Sequence, residues 1–391
     1  MQAGSATPCI REVFRPWCIQ SGNVGLMQTS TPANQTELAA VLAEANESGL
    51  GVIPAGGCTK SAWGNPPRRA DIVLSTTHLN QVIEHAWADL TVSVEAGCTI
   101  GKLQKVLSSR GQRLAADPAW PEQATVGGVL STNDTGALRL CFGGLRDLVI
   151  GITLALPNGT LAVSGGKVVK NVAGYDLPKL VIGALGTLGV ITQAVFRVHP
   201  LPRHSKTLTF AFANLEAMQR FILSIQNAGL SHTALQLRVG NFIEADILLE
   251  GTEAGIASQE RFISEIASPA DCAADVWNAR QRLLSESGVL AKVSVLPSEI
   301  GDVIAELRRA STCRVVMQAH GLGFVFMPEP GPLLPLRASF ESRGGSLVIL
   351  RQPNQIEVWG DAGSALPLMV AVKQRFDPKG ILNPGRYLGG I

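Results

Sequence analysis

Charge is scarce in this chain of 391 residues. Asp, Glu, Lys and Arg make up 16% of it, the net charge is +2, and no run of Lys or Arg approaches a basic tract. Nucleic acid is gripped by clustered cations, so it is excluded as a partner. Paired cysteines are missing too. The seven cysteines, at positions 9, 18, 58, 98, 141, 272 and 313, are odd in number and scattered, with no CxxC among them. An iron-sulfur cluster needs clustered thiolates and a zinc site needs His or Cys neighbours, so no metal is expected, and the thiols read as reduced, in the cytoplasm. The opening MQAGSATPCIREVFRPWCIQ has no unbroken apolar core behind a positive end, so no export signal is expected. The uncharged interval from Leu180 to Phe196 covers 17 residues, at the lower limit of a membrane span. Glycine at every third position (Gly183, Gly186, Gly189), with Thr187, Thr192 and Gln193, makes it a poor single helix, so no transmembrane segment is expected. Neither GxGxxG entering a helix nor GxxxxGK[ST] occurs, which disfavours a nicotinamide-type Rossmann site and a P-loop.

What is present is a large apolar interior. Hydrophobic residues make up 46% of a length that suits two cores better than one. Residues 33 to 200 alternate helical and extended patterns. A helix over Thr36 to Ser48, closed by Gly49, leads into the strand LGVIP; ADIVLST and LTVSVEAG follow as strands, then a helix over Ile100 to Arg110 capped by Thr99. VIGITLAL and LAVSG flank Pro157-Asn158-Gly159, a hairpin signal. Asp176 is placed to cap a helix with Pro178 in its first turn, ending near Gly186, before the strand LGVITQAVFRV. From Ser205 the elements are evenly spaced and fall into two βαββαβ-like sets, the first from Lys206 to Ile266 and the second from Lys292 to Arg351. The fold class expected is α+β. Residues 1–204 form one domain, 205–365 a second whose sheet is mainly antiparallel and covered by helices on one face, and 366–391 a segment returning to the first.

Three segments are over-supplied with glycine: PAGGCTKSAWG (Pro54 to Gly64), ATVGGVLSTNDTG (Ala124 to Gly136) and the stretch around Gly183, Gly186 and Gly189. One glycine is enough to end a helix, and the surplus points to backbone pressed close to something other than a side chain. Two readings stand on the residues alone. Consecutive small residues after a strand aim several N–H groups at one anion, with Thr59, Lys60, Thr125 and Asn133 adding side-chain donors; or the glycines belong to ordinary tight turns.

The order of these segments resembles the flavoprotein superfamily of vanillyl-alcohol oxidase and para-cresol methylhydroxylase. Its FAD-binding domain carries a small-residue first loop, A-T-x-G-G…N, R-D-x-x-x-G before a P-x-G hairpin, and K-x-x-x-G-Y-D-L…G-x-x-G-x-x-G-V-I-T. Here PAGGCTK, ATVGGVLSTN, LRDLVIGITLALPNGTL and VVKNVAGYDLPKLVIGALGTLGVIT stand in the same order, and FDPKGILNPGR resembles the superfamily's C-terminus. The KNVAGYDL version is similar to the FAD-binding E subunits of bacterial glycolate oxidase, the glycolate dehydrogenase complex. The resemblance implies FAD and a two-part FAD-binding domain plus a cap domain. It places Ala55, Gly56, Gly57, Cys58, Thr59 and Lys60 around the pyrophosphate. Pro118, Thr125, Gly127, Gly128, Asn133 and Gly136 would line the middle of the cofactor, and Gly186, Gly189 and Ile191 would complete the cradle. Asn171, Gly174 and Tyr175 match the motif and are assigned mainly to packing; Arg146 and Asp147 read as a structural ion pair.

Two departures from the superfamily matter. Members with covalent FAD often carry a histidine in the first loop; Thr59 occupies that slot after Cys58, and Cys58 reads as an inert thiol, so the FAD is expected to be non-covalent. Related 2-hydroxy-acid dehydrogenases carry H-x-G-D-x-N-x-H, suited to taking a hydroxyl proton. Here His320-Gly321 is followed by Leu322-Gly323, and histidines 78, 85, 199, 204 and 232 stand alone, so no catalytic residue is assigned. Arg314, Arg351 and Arg386 are candidates for holding a carboxylate, against the default of charges on exposed strand faces. The resemblance implies oxidation of glycolate, a small 2-hydroxy acid, to glyoxylate in concert with two partners: a second FAD-linked dehydrogenase subunit bearing the histidine motif and an iron-sulfur subunit. A stand-alone FAD dehydrogenase of another 2-hydroxy acid, or an assembly subunit, are the alternatives.

Overall fold

The computed structural model describes residues 27–166, 176–271, 275–329, 331–351 and 356–391. Their contacts divide the chain into two compact units, one built from 27–134, 144–200 and 361–391, the other from 135–143 and 201–360. The short segment 135–143 groups with the second unit, which no division of the chain into successive blocks anticipates.

In the first unit, helix α1 (Gln35–Ser48) starts where Asn34 Oδ1 accepts the Glu37 N–H and stops at Gly49, whose φ of 66° is open to glycine. It leads to a parallel sheet ordered β1 (Gln28–Ser30), β3 (Ile72–Ser75), β2 (Val52–Ala55). Leu38, Leu42 and Ala45 of α1 pack on Val52, Ile72 and Leu74, and Ile381 and Leu382 from the far end of the chain complete that core. A five-stranded antiparallel sheet follows, in the order β4 (Val82–Ala86), β5 (Thr91–Glu95), β9 (Val190–Arg197), β7 (Val149–Ala155), β8 (Leu161–Gly165). A two-residue pair, β6 (Gln112–Arg113) with β10 (His199–Pro200), lies apart from it. Between these strands run α2 (Ile100–Ser108), capped by Thr99, α3 (Val126–Thr132), capped by Thr125, and α4 (Leu177–Val181), capped by Asp176 with proline in its first turn. The last of these stops five residues earlier than the glycine pattern suggests, at Val181. Asn171, Gly174 and Tyr175 lie outside the described residues.

The second unit holds one antiparallel sheet of seven strands, in the order β11 (His204–Ala211), β13 (Ile243–Gly251), β12 (His232–Val239), β15 (Arg314–Gln318), β16 (Leu322–Met327), β14 (Val289–Ser294), β17 (Ser346–Arg351). The two βαββαβ sets meet back to back: the second strand of each, β12 and β15, pair antiparallel at the centre. The outermost strand β17 has its counterpart in a single bridge, Thr209 with Ala270, on the opposite edge. Alternate strand residues, among them Leu208, Leu237, Ile247, Val293, Met317 and Ile349, form the apolar core with α5 (Leu215–Asn227), α6 (Glu253–Ile266), α8 (Ile300–Ala310) and α9 (Leu333–Ser342). The intervening residues point the other way, as a strand's period of two requires. There Thr209, Gln236 and Arg238 all bond Asp246, and Arg280 of α7 (Ala279–Ser285) lies over the Phe324 ring.

Candidate functional site

A cleft in the first unit collects residues from all three glycine-rich segments. Ala55 to Ser61 follow strand β2; Thr125, Gly127, Gly128, Ser131 and Thr132 come from α3; Leu185, Gly186, Gly189, Val190 and Ile191 lead into β9. Among the described residues, the backbone N–H groups of Gly56, Gly57, Thr59, Gly186 and Gly189 donate to no protein acceptor. Paired backbone is the rule in a folded chain, and converging unpaired N–H groups are what an anion needs.

The glycines themselves are explained by protein meeting protein. A Cβ on Gly57 would run into the Gln123 carbonyl, 2.9 Å from its carbon, and one on Gly189 would come within 2.6 Å of the Leu154 side chain. Gly186 sits at φ of 71°. The pressure that excludes side chains here comes from the neighbouring loop and strand, so the surplus read in the sequence is chiefly a packing requirement. Gly128 differs: its Cβ position meets only the Thr125 hydroxyl, at 3.2 Å, and otherwise opens on the cleft.

Of the fifteen cofactor positions expected from the sequence, Pro118, Asn133 and Gly136 do not line this cleft. Pro118 is buried, Asn133 is the left-handed cap of α3 at φ of 49° backing onto Gly183, and Gly136 groups with the second unit. Lys60 also departs from its expected role as a donor. Its ammonium, in a side chain 4% exposed, lies 3.2 Å from Asp134 Oδ2, donates to the Ala119 carbonyl at 3.2 Å, and stands over the Trp120 ring. Asp134 in turn accepts the Ala119 N–H at 2.9 Å. Lys60 therefore ties the first loop to the loop carrying Trp120, at the border of the cleft.

A second set of ties comes from the C-terminal segment, for which the sequence offered no cofactor-binding residue and only Arg386 as a candidate carboxylate clamp. On α10 (Leu366–Phe376), Lys373 donates to the Thr187 and Leu382 carbonyls and to Asp377 Oδ2. Burial lowers the Lys373 pKa, against the pull of Asp377. Asp377 accepts the N–H groups of Ile381 and Leu382. Arg386 is 5% exposed and donates to the carbonyls of Ser61 and Trp63; burial pulls it down to about 10, with the Cys58 sulfur acting the other way. It is a positioning residue for the first loop, not a carboxylate clamp. Arg351 is committed to the carbonyls of Leu284, Glu286 and Gly288, and Arg314 pairs with Glu286. Arg146 and Asp147 form no ion pair with each other: Arg146 donates to the Ile182 carbonyl and Asp147 accepts the Gly144 N–H. Cys58, at φ of 55°, lines the cleft with its Sγ donating to the Gly56 carbonyl.

His320 lies in the second unit, with neither ring nitrogen hydrogen-bonded. Burial, helped by the Arg139 charge, pulls it down to about 4, so it is neutral near pH 7. The unfolded chain takes up this proton near the ordinary value of 6.5 while the folded chain refuses it until about 4. Stability therefore falls as the pH drops through that window. Urea midpoints measured from pH 7 to 4 are expected to fall more steeply for the wild type than for His320→Gln; parallel curves would refute the burial argument.

Family models match two parts of the chain: residues 28–165 match an FAD binding domain, and residues 360–387 match the C-terminal domain of FAD linked oxidases. Among known proteins, the chain is similar to glycolate oxidase subunit GlcD of Bacillus subtilis, 33% identical over 205 residues, covering 52% of this chain and 44% of that one. It is 24% identical to the mitochondrial D-lactate dehydrogenase [cytochrome] of Arabidopsis thaliana, over 91% of this chain and 72% of the relative. To the mitochondrial D-2-hydroxyglutarate dehydrogenase of Danio rerio it is 26% identical, over 97% and 83%. The chain thus spans less than half the length of the Bacillus relative. A solved alkyldihydroxyacetonephosphate synthase shares the fold, with a TM-score of 0.70 at 18% identity over 93% of this chain and 77% of that one. Residues 28–165 thus carry an FAD-binding domain, and the chain's cofactor is FAD. The cleft fits that group: residues with unpaired N–H donors line it, and among the described residues no acidic side chain does so to repel a diphosphate.

Proposed function

We propose that this chain is the FAD-binding subunit of a complex that oxidises a small 2-hydroxy acid, with glycolate as the first candidate substrate and glyoxylate as product. The observation that carries the reading is the cleft itself, where residues with five unpaired backbone N–H groups, from two glycine-rich segments, line a channel in the unit that contains the matched FAD-binding domain. Gly56, Gly57 and Thr59 hold the diphosphate, Thr125, Gly127 and Gly128 border the middle of the cofactor, and Gly186, Gly189 and Ile191 close its side. Bound FAD supplies two-electron oxidation with onward release of single electrons. The chain's own part is to bind, orient and shield that group, without a covalent link through Cys58.

The acid-base work of substrate oxidation falls to a partner in this reading, because the sequence has no H-x-G-D-x-N-x-H motif and His320 stands without hydrogen-bonded neighbours. Two partners follow: a second FAD-linked dehydrogenase subunit that carries the histidines, and an iron-sulfur subunit that accepts electrons. Among the described residues no group of His, Cys, Asp and Glu is arranged to hold a metal, and no helix is long and apolar enough to cross a membrane. The cytoplasm is the proposed location.

The test uses the full chain purified with its yellow cofactor and mixed without oxygen with glycolate, D-lactate or D-2-hydroxyglutarate. The expected result is no bleaching of the flavin by any acid alone, and bleaching by glycolate once the co-purified partner subunits are returned. Bleaching of the isolated chain would replace this reading with a stand-alone dehydrogenase. Acid precipitation is expected to release all of the flavin; colour left on the pellet would refute non-covalent binding.

A further inference from the structure

Asn383 is the buried polar side chain of the cleft wall whose bonding is half complete. It is 1% exposed, lines the cleft, and follows the strand-like contact of Leu382 with Val52. Its own N–H donates to the Val52 carbonyl at 2.9 Å, and its side-chain Nδ2 donates to the Leu185 carbonyl at 2.6 Å. That second bond fixes the amide: turned over, the side-chain oxygen would face a carbonyl oxygen at the same distance. The oxygen Oδ1 is therefore held on the other side, where no donor among the described residues reaches it. A buried acceptor left without a donor costs about 1–3 kcal/mol, so its place in a ligand cleft needs an account.

We propose that Asn383 is a cofactor-binding residue whose Oδ1 accepts a hydrogen bond from a hydroxyl of FAD on the sugar-alcohol or ribose chain flanking the diphosphate. The proposal rests on the FAD-binding reading of this cleft. The diphosphate offers only acceptors near neutral pH and would be repelled by Oδ1, so Asn383 marks a donor-bearing part of the cofactor; its Nδ2 lies 3.3 Å from where a Cβ on Gly186 would stand, beside another unpaired N–H, which selects the hydroxyls flanking the diphosphate over the ring N–H groups at either end. The unpaired N–H groups of Gly56, Gly57 and Thr59 mark the anionic part. The cleft thus has a polarity along its length, donors at one position and a fixed acceptor at another. The same residue braces the third loop through Leu185, so binding and positioning meet in one side chain.

The experiment titrates the flavin-free full chain with FAD and with FAD analogues each lacking one hydroxyl of the ribityl or ribose group, following flavin fluorescence, for the wild type and for Asn383→Gly. Glycine suits the φ of 42° at this position, so the variant avoids backbone strain. In the wild type one analogue is expected to bind about tenfold more weakly than FAD. In Asn383→Gly that penalty is expected to vanish, with FAD and the analogue bound equally. If every analogue keeps its wild-type penalty in the variant, Oδ1 is met by water and Asn383 only braces the loop, which overturns the proposal. The wild-type titration alone keeps the test decisive if the glycine variant does not fold: should every analogue bind as tightly as FAD, Oδ1 meets no cofactor hydroxyl and the proposal is overturned. A wild-type chain that binds no FAD would refute the cleft reading itself, a different outcome from bound FAD with unchanged penalties.

Discussion

Asp134→Ala is expected to lower the unfolding free energy of the flavin-free protein by about 3–5 kcal/mol, because it removes a carboxylate from beside a buried ammonium. Lys60 and Asp134 are 4% and 0% exposed at their side chains, and the pair joins the first glycine loop to the Ala119 loop through both partners. Desolvating two charges is costly, and in a buried pair the loss shows when one member is taken away. The double change Lys60→Met with Asp134→Leu is accordingly expected to recover more than half of what Asp134→Ala loses. Urea unfolding of the three proteins checks this. An Asp134→Ala midpoint within error of the wild type would mean that water reaches Lys60 and that the loops are held by something else.

Gly57→Ala is expected to weaken FAD binding on the order of a hundredfold, which is about 2.7 kcal/mol. The added methyl would overlap the Gln123 carbonyl, a backbone group with no rotamer to relieve it, so the first loop must move away from the second. Its N–H, one of the unpaired donors, moves with it. Gly128→Ala gives the contrast. Its Cβ meets only the Thr125 hydroxyl and lies within helix α3, where alanine is favoured over glycine by about 0.5–1 kcal/mol. The flavin-free protein should keep or gain stability while FAD binding falls, since the methyl projects into the cleft. Thermal melts with and without FAD separate the two: Gly57→Ala loses in both, Gly128→Ala only in the liganded state. Equal FAD affinity of Gly128→Ala and wild type would remove α3 from the cofactor wall.

Local chemistry made much of this fold legible. Helices α6 and α9 and strand β17 begin and end where their residue patterns say, at Glu253–Ile266, Leu333–Ser342 and Ser346–Arg351. The caps Thr99 and Asp176 each accept an N–H three residues on, as the sequence suggests, a bond that depends on neighbours in sequence alone; the helix that Thr125 caps was hidden by its paired glycines. The glycine loops were legible for a related reason, because few other residues follow a strand in that density. Lys60 borders the cleft, as its loop suggests, but its pairing with Asp134, 74 positions away, is signalled by nothing local.

The sequence by itself determined the alternation of elements, the two-set pattern of the second unit and the presence of glycine-rich turns, since each follows from periodicity and backbone freedom within a few residues. Tertiary structure decided which groups meet. Arg386 reaches Ser61 across 325 positions, Asn383 reaches Leu185 across 198, and Lys373 reaches Thr187 across 186. A side chain's partner at such separations is chosen by how sheets and loops close on one another, and burial then fixes whether its charge or lone pair is spent on the protein or left for a ligand.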